Sequence, residues 1–357
     1  MRKKQLIGCL VILTSLLLSC GRSLKEESNE SFIRQLVDTV GFAQYPWQMD
    51  SLMARIVRQG WEQDITEPWK TVICPHDDYT YVGRLYPELL QDIGADNLIL
   101  IGVAHKAAQL GIEDSLVFDS HTHWKGPWGN VPVSGIRQDI FARLRNNFAI
   151  ISDTMQNVEH SLESLIPFLQ YFNSDISIVP VLVPAMSPER MEQCGMALAG
   201  AIREVAAEKG WVWGQDYAIV VTTDAVHYGN EDWGGADRAL FGCDDAGNEK
   251  AKDLEFEIIS NCLEGSIGPE KIRRFSDYTI RADDYHEYKW TWCGRYAVPV
   301  ALYTSYYLNH SQAMHGESVG YATSITSRHV PVDDIRMGRT AIATKCHWVG
   351  YAAIGYR

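Results

Sequence analysis

Four short runs of apolar and β-branched residues stand out along the chain. They are "KTVIC" at 70–74, "NLILIGV" at 97–103, "ISIVPVLV" at 176–183 and "YAIVVTT" at 217–223. Near-continuous hydrophobic runs of this length are typical of parallel strands that are covered on both faces. The pattern therefore predicts four buried strands in one sheet.

Segments with the apolar spacing of helices lie between and beside these strands. The last of them has good capping residues at both ends, opening on Ser187 and Pro188 and closing on Gly210. Strands that alternate with helices favour βαβ units. The four predicted helices cover 86–94, 135–147, 159–172 and 187–210.

The predicted fold class is α/β, with a single doubly wound, mostly parallel sheet and helices on both faces. Two further apolar stretches, "GYATSITS" at 320–327 and "VGYAAIGYR" at 349–357, predict strands that extend the sheet in antiparallel fashion. We see neither an internal repeat nor an interdomain linker, so residues 35–357 are expected to form one domain.

Titratable residues follow three of the four predicted strands. Ligands bind in open α/β sheets at the carboxyl ends of the strands, so these side chains are expected to meet in one cleft. Imidazoles with an anionic ligand bind divalent transition metals, and a histidine that is not a ligand can transfer protons. A single histidine at a strand end is more commonly an ordinary loop residue, but three such strand ends favour a shared site. The residues are His76, Asp77, Asp78, His105, Asp224 and His227.

The N-terminal segment has the pattern of an export signal. A basic "MRKK" precedes an apolar stretch that is short for a membrane span, and "LLSC" at 17–20 resembles the lipobox of bacterial lipoproteins. We therefore expect a signal peptide over 1–19, lipidation of Cys20, and a polar tether over 20–34. This predicts a protein of the bacterial cell envelope, held to the membrane by lipid alone; a plain signal peptide and an anchor helix are the alternatives.

Charge and cysteine content narrow the function classes. The formal net charge is −13 and no basic stripe follows the N-terminus, which excludes nucleic acid as an expected partner. The cysteines beyond Cys20 would permit disulfides in an exported protein, but their irregular spacing predicts no particular pairing. They are Cys74, Cys194, Cys243, Cys262, Cys293 and Cys346.

The stretch "CPHDDYTYVG" at 74–83 resembles the "PHAGYxYxG" motif of the Memo-like family, also called AmmeMemoRadiSam system protein B. Seven further segments resemble motifs of that family in the same order, and the fold it implies is that of the class III extradiol dioxygenases. The segments are "VGFAQYPWQMDSLMARI" at 40–56, "NLILIGVAH" at 97–105, "WKGPWGNVPV" at 124–133, "VEHSLESLIPFLQY" at 158–171, "ISIVPVLVPAM" at 176–186, "VVTTDAVHYG" at 220–229 and "CGRYAVPV" at 293–300.

The resemblance also implies roles for individual residues. It implies that His76, His105 and Cys293 bind a divalent transition metal, for which iron is the first expectation and copper or zinc are the alternatives. Asp224 and His227 would flank the metal, with His227 in the position of the acid–base residue of the dioxygenases. The cleft would further be lined by Tyr81, Glu159 and His160.

The chain departs from the family pattern beside the first histidine, where Asp77 and Asp78 replace small residues. Two carboxylates at this position add negative charge and crowd the backbone beside the predicted ligand. We therefore predict that both line the pocket, and that the chemistry of this site differs there from that of the family. Two functions remain open at this point. One is a metal-dependent oxidoreductase that resembles extradiol dioxygenases; the other is a non-catalytic protein that binds metal or peptide in the same cleft. The ligand is a small molecule or a peptide.

Overall fold

A computed structural model of the protein describes residues 32–357, apart from positions 65, 145–146 and 327. The predicted signal peptide, Cys20 and most of the predicted tether lie outside the described residues. Within the described part, no helix combines the length and the hydropathy needed to cross a membrane. The first strand, Ile33–Arg34, falls at the end of the segment that we predicted as tether.

The described residues contain thirteen strands in two sheets. In chain order, the strands are β1 (Ile33–Arg34), β2 (Thr71–Cys74), β3 (Asn97–Val103), β4 (Leu116–Phe118), β5 (His123–Gly126), β6 (Gly129–Pro132), β7 (Ala149–Ile151), β8 (Ser177–Val183), β9 (Tyr217–Thr222), β10 (His227–Gly229), β11 (Gly265–Ile267), β12 (Met314–Thr323) and β13 (His347–Tyr356).

Ten α-helices accompany the strands in the same residues, with short 3₁₀ turns at Ala108–Leu110 and Asp333–Ile335 and a π-helical turn at Ile259–Leu263. The α-helices are α1 (Pro46–Arg58), α2 (Tyr79–Val82), α3 (Leu85–Leu90), α4 (Ile136–Arg143), α5 (Asp153–Gln156), α6 (Leu165–Phe172), α7 (Pro188–Lys209), α8 (Asp245–Ile258), α9 (Pro269–Thr279) and α10 (Ala297–Leu308).

The centre of the large sheet consists of the four strands that the hydrophobic runs predict. They lie side by side in the order β2-β9-β3-β8, and all three pairings between them are parallel. The C-terminal strands extend the sheet beyond β2 in antiparallel fashion, in the order β13, β12, β11. The carboxyl ends of β2, β9 and β3 therefore lie next to one another at one edge.

The prediction of a single, mostly parallel, doubly wound sheet needs correction, because the sheets are mixed. Strand β4 is antiparallel to β8, and β1, β5 and β6 form a separate three-stranded sheet. The hairpin of β5 and β6 has few apolar residues and turns at Gly129, which has a φ of 117°. A short polar hairpin has no strong hydrophobic period, so the sequence pattern does not distinguish it from a loop.

Helices cover both faces of the large sheet. Alternate residues of β3 point to opposite faces: Ile99 and Ile101 pack with α7 and α10, whereas Leu98 and Leu100 pack with α3 and α6. Helices α7 and α10 approach closely at Gly195, where an added Cβ would lie 2.5 Å from the Cβ of Tyr303. This packing on both faces leaves the edges of the sheet as the place for a polar site.

Candidate metal centre

The structure brings the three predicted metal ligands together at the carboxyl edge of the sheet. His76 follows β2, His105 follows β3, and Cys293 lies shortly before α10. Their potential ligand atoms all lie within 4.8 Å of one another, and Cys293 Sγ is 3.4 Å from His76 Nε2. Two of the three follow the parallel strands β2 and β3, which lie on either side of β9 and end at the same edge, as the strand pattern predicts.

The orientation of His76 is fixed by a hydroxyl on the adjacent strand. His76 Nδ1 lies 2.7 Å from Thr222 Oγ1, and this hydroxyl donates its own hydrogen to the Ser161 carbonyl at 3.1 Å. The hydroxyl must therefore accept a hydrogen bond from His76 Nδ1–H, which leaves a lone pair on Nε2. Burial and the nearby histidines lower the pKa of His76 well below its ordinary value, so the ring is neutral and able to bind a metal.

His105 is held by a buried carboxylate. Glu159 accepts hydrogen bonds from the His105 backbone N–H at 2.7 Å and from Nδ1 at 2.9 Å. Burial would raise the pKa of Glu159, but the His105 charge outweighs it and lowers the pKa to about 2. Burial likewise opposes a charge on His105, yet Glu159 and Cys293 raise its pKa to about 10. The pair resembles the carboxylate–histidine pairs that orient metal ligands through the second ring nitrogen.

Cys293 is a buried thiol with a donor aimed at its sulfur. The backbone N–H of Asp224 donates to Sγ at 3.1 Å, and Thr223 Oγ1 is 3.7 Å away. Burial raises the pKa of Cys293, so the thiol keeps its proton unless a cation binds. The donor set of two imidazoles and one thiol fits a divalent transition metal. His76 presents a free Nε2, whereas His105 and Cys293 would each release a proton when the cation binds.

A second cluster of possible ligands overlaps the first and consists of His105, Glu159 and His160. The His160 ring stacks on His105 with centroids 5.0 Å apart, and both the His160 and the Ser161 N–H groups donate to Glu159 at 2.9 Å. These bonds hold the turn before α6 in place. They explain why the helix predicted over 159–172 begins only at Leu165.

Asp224 contacts His76, and His227 lies three residues further along the chain. Asp224 accepts the His76 backbone N–H at 2.9 Å, and burial raises the pKa of its carboxyl well above the ordinary value. His227 Nδ1 donates to the Thr291 carbonyl at 3.2 Å, which leaves Nε2 as an acceptor. Burial lowers the pKa of His227 to about 4, so the ring is neutral near pH 7 and can accept a proton.

A cavity of about 590 Å³ opens above these residues. Three of the predicted site residues do not line it. Cys293 is buried against His76, and Glu159 lies behind His105. The Tyr81 hydroxyl donates to the Ala341 carbonyl at 2.8 Å and so supports a wall. The predicted residues that do line the cavity are His76, Asp77, Asp78, His105, His160, Asp224 and His227.

Three further residues of the cavity wall carry no motif that would have revealed them. Trp233 stacks on His347 with ring centroids 4.1 Å apart and contacts the ring of His227 at 5.2 Å. Asp38 joins Asp77, Asp78 and Asp224 in the wall and makes it acidic. These side chains come from loops that are far apart in the sequence, so only the folded structure shows that they meet.

Asp77 and Asp78, which depart from the family pattern, form hydrogen bonds within the wall of the cavity. Asp77 accepts a hydrogen bond from the Tyr351 hydroxyl at 2.6 Å, and Asp78 accepts the Thr340 N–H at 2.6 Å. The crowding expected beside His76 is relieved at Gly41, where an added Cβ would lie 2.0 Å from Asp78 Oδ1. Asp78 and Gly41 therefore fit one another, and both aspartates fasten neighbouring segments as well as facing the cavity.

Glu255, which no sequence motif identifies, fastens the segments that carry Cys293 and His227. This carboxylate of α8 accepts Trp290 Nε1 at 2.5 Å, Trp292 Nε1 at 2.7 Å and the Val226 N–H at 3.0 Å. Trp292 directly precedes Cys293, Trp290 lies two residues earlier, and Val226 directly precedes His227. Glu255 is therefore a positioning residue for both.

Glu255→Gln is expected to flatten the pH dependence of stability. Burial raises the pKa of Glu255 to about 7 against the effect of its hydrogen bonds, from an ordinary value of 4.5. Between these values the folded state holds a proton that the unfolded state has lost, so stability falls as the pH rises. From pH 5 to pH 8 the wild type should lose about 2 kcal/mol more than the variant, whose amide imitates the neutral acid.

Urea unfolding at several pH values measures this difference. Glu249→Gln, the same change at an exposed position of α8, is the control and should keep the wild-type profile. Parallel profiles for the wild type and Glu255→Gln would contradict the expected titration.

The fold and this cluster define a mixed α/β protein with a His–His–Cys candidate metal centre at the carboxyl edge of its sheet. The sequence profile of the family described as Memo-like protein matches residues 42–334. The chain therefore belongs to the Memo-like family.

Individual relatives support the same assignment. A MEMO1 family protein of Methanothermobacter thermautotrophicus is 32% identical over 167 residues, which cover 46% of this chain and 56% of that protein. A MEMO1 family protein of Thermococcus kodakarensis is 25% identical over 295 residues, covering 80% of this chain and 86% of the relative. A match to the crystal structure of an uncharacterized protein from Escherichia coli K12 covers 78% of this chain and 98% of that chain at 12% identity. Its TM-score of 0.39 is too low for any conclusion about this protein.

Proposed function

We propose that this protein binds a divalent transition metal through His76, His105 and Cys293 and acts as a metal-dependent oxidoreductase. The observation that carries the proposal is the cluster itself, whose ligand atoms lie within 4.8 Å of one another beside a cavity of about 590 Å³. Iron is the first candidate, with copper and zinc as alternatives, because imidazole and thiolate ligands suit all three metals. The proposed location is the cell envelope, with attachment through Cys20.

A bound iron or copper ion would supply Lewis acidity and electrons for reaction with dioxygen. The surrounding residues have separate tasks in the proposal. Glu159 and Thr222 hold the two imidazoles with Nε2 towards the metal, and His227 Nε2 accepts a proton from a substrate hydroxyl in the cavity. Burial raises the pKa of Asp77, Asp78 and Asp224, which favours their neutral form. Carboxyl groups in that form favour a small polar molecule that exchanges hydrogen bonds with them.

Metal analysis of the full-length protein, purified without oxygen, tests the first half of the proposal. We expect about one metal ion per chain in the wild type and a large loss in Cys293→Ser, since serine replaces the soft sulfur ligand. The matched control is Cys194→Ser, which changes a buried cysteine of α7 outside the cluster and should keep the metal. A wild-type protein without stoichiometric metal would overturn the proposal.

Oxygen uptake with a panel of catechols tests the second half. The wild type should consume oxygen with at least one of them, whereas His227→Gln should keep its metal and lose turnover. Stoichiometric metal without oxygen uptake would favour the alternative, a non-catalytic metal- or peptide-binding protein that uses the same cleft.

A further inference from the structure

Two cysteines outside the metal cluster lie close together, beside a segment that lines the cavity through His347. Cys243 directly precedes Asp244, which caps α8, and Cys346 directly precedes β13. Both are half-buried. The remaining described cysteines are buried, namely Cys74, Cys194, Cys262 and Cys293. Among the described cysteines, this pair is therefore the one that an oxidant in solution can reach.

The pair contacts the same turn of the chain. The Cys243 thiol donates to Asn230 Oδ1 at 3.4 Å, and the Cys346 carbonyl accepts the N–H groups of Asn230 and Glu231 at 3.0 and 3.1 Å. Flanking residues also meet: Lys345, which precedes Cys346, forms a salt bridge of 2.5 Å with Asp245, two residues after Cys243.

The nearby thiol affects the protonation of Cys346. Cys243, together with burial and the charge of Glu231, raises the pKa of Cys346 to about 11. Both cysteines contact Asn230, so one short turn holds their segments close together, as the short reach of a disulfide requires.

We propose that Cys243 and Cys346 form a reversible disulfide that joins two walls of the cavity. The oxidant is a disulfide compound such as oxidised glutathione: one protein thiolate attacks it and releases one glutathione thiol, and the second protein thiolate then displaces the other. Two protein thiols and one glutathione disulfide thus give one protein disulfide and two glutathione thiols. The reaction is favoured in an oxidising compartment.

The bond would hold together the segments that carry Trp233 and His347. Trp233 lies between β10 and Cys243, and His347 follows Cys346; their rings already stack at 4.1 Å above His227. Closing a loop of about 100 residues restricts the unfolded chain strongly, so the bond should stabilise the fold as well as the wall. This inference requires neither a bound metal nor catalysis.

Treatment of the full-length protein with oxidised glutathione tests the pairing. We expect the loss of two thiols and, in peptides mapped without reduction, one cross-link between Cys243 and Cys346. Cys243→Ser should lack the cross-link and hold glutathione on Cys346, whereas the buried control Cys262→Ser should form the cross-link normally. An unchanged thiol count, or a cross-link between other cysteines, would overturn the proposal.

Hydrogen exchange tests the effect on the cavity wall. Amides of residues 229–243 and 340–347 should exchange more slowly in the oxidised than in the reduced protein, and this difference should vanish in Cys243→Ser. The melting temperature should also be higher in the oxidised wild type. Equal exchange in both states, with the cross-link present, would show that the disulfide does not hold the wall.

Discussion

Arg34→Met is expected to lower the free energy of unfolding by about 3–5 kcal/mol, because it leaves a buried carboxylate without its partner. Arg34 Nη1 lies 2.6 Å from Glu163 Oε1, and both side chains are only 1% exposed. The same guanidinium donates to the Gln156 carbonyl at 2.9 Å and to the Glu159 carbonyl, and it stacks on Trp124. The loss therefore affects both the small sheet and the turn that holds His105.

The penalty of Arg34→Met should grow with pH. Burial already raises the pKa of Glu163 against the pull of Arg34, and removing the arginine raises it further. The folded variant then holds a proton that the unfolded chain has lost, so its stability falls as the pH rises through this range. Urea unfolding at pH 5 and pH 8 should show the smaller deficit at pH 5.

Two variants control this experiment. Adding Glu163→Gln to Arg34→Met removes the unpaired charge and keeps an acceptor for one of the two N–H groups that Glu163 binds, those of Val37 and Asp38. The double variant should therefore be more stable than the single one. Arg273→Met breaks an exposed pair with Glu189 and should cost less than about 1 kcal/mol. A cost this small for Arg34→Met would contradict the assigned role of the buried pair.

Glu159→Gln is expected to weaken metal binding by about 100-fold, at the upper end of the effects known for residues that orient metal ligands. Glu159 Oε1 accepts His105 Nδ1 at 2.9 Å and Oε2 accepts the His105 N–H at 2.7 Å. An amide carries no charge to strengthen the imidazole as a ligand, and its NH₂ group cannot accept the second hydrogen bond. His105 should therefore bind more weakly and with less defined orientation.

Titration with Co²⁺ measures this effect, because the ion reports tetrahedral thiolate coordination through its absorption spectrum. The control is Glu192→Gln, the same substitution on α7, where the carboxylate accepts the Tyr307 hydroxyl. It should bind Co²⁺ as the wild type does. Wild-type affinity in Glu159→Gln would mean that Glu159 does not orient a ligand, even if the cluster binds metal.

Part of the fold and of the candidate metal centre can be predicted from the sequence. The hydrophobic runs are long enough to define β2, β3, β8 and β9, because strands covered on both faces must be apolar throughout. The positions of His76 and His105 follow from this pattern, since parallel strands end at the same edge. Cys293 follows none of the predicted strands, so the pattern alone could not place it; the resemblance to the Memo-like family could.

The remaining features depend on contacts between distant segments. The short strands β4 and β7 and the polar hairpin of β5 and β6 acquire their structure from neighbours rather than from a hydrophobic period. In the sequence, Asp78 departs from the family pattern beside a predicted metal ligand. The structure shows that it accepts hydrogen bonds from Thr340 and packs against Gly41, so it has a structural role.

The buried parallel strands, the strand-end histidines and the acidic balance follow from the sequence, because each depends on local composition and spacing. Only the folded chain shows that Glu255 fastens the segments of Cys293 and His227, and that Cys243 and Cys346 share the contact with Asn230. These partners are far apart along the chain, and no periodicity connects them. Their proximity arises from the way the loops close over the edge of the sheet.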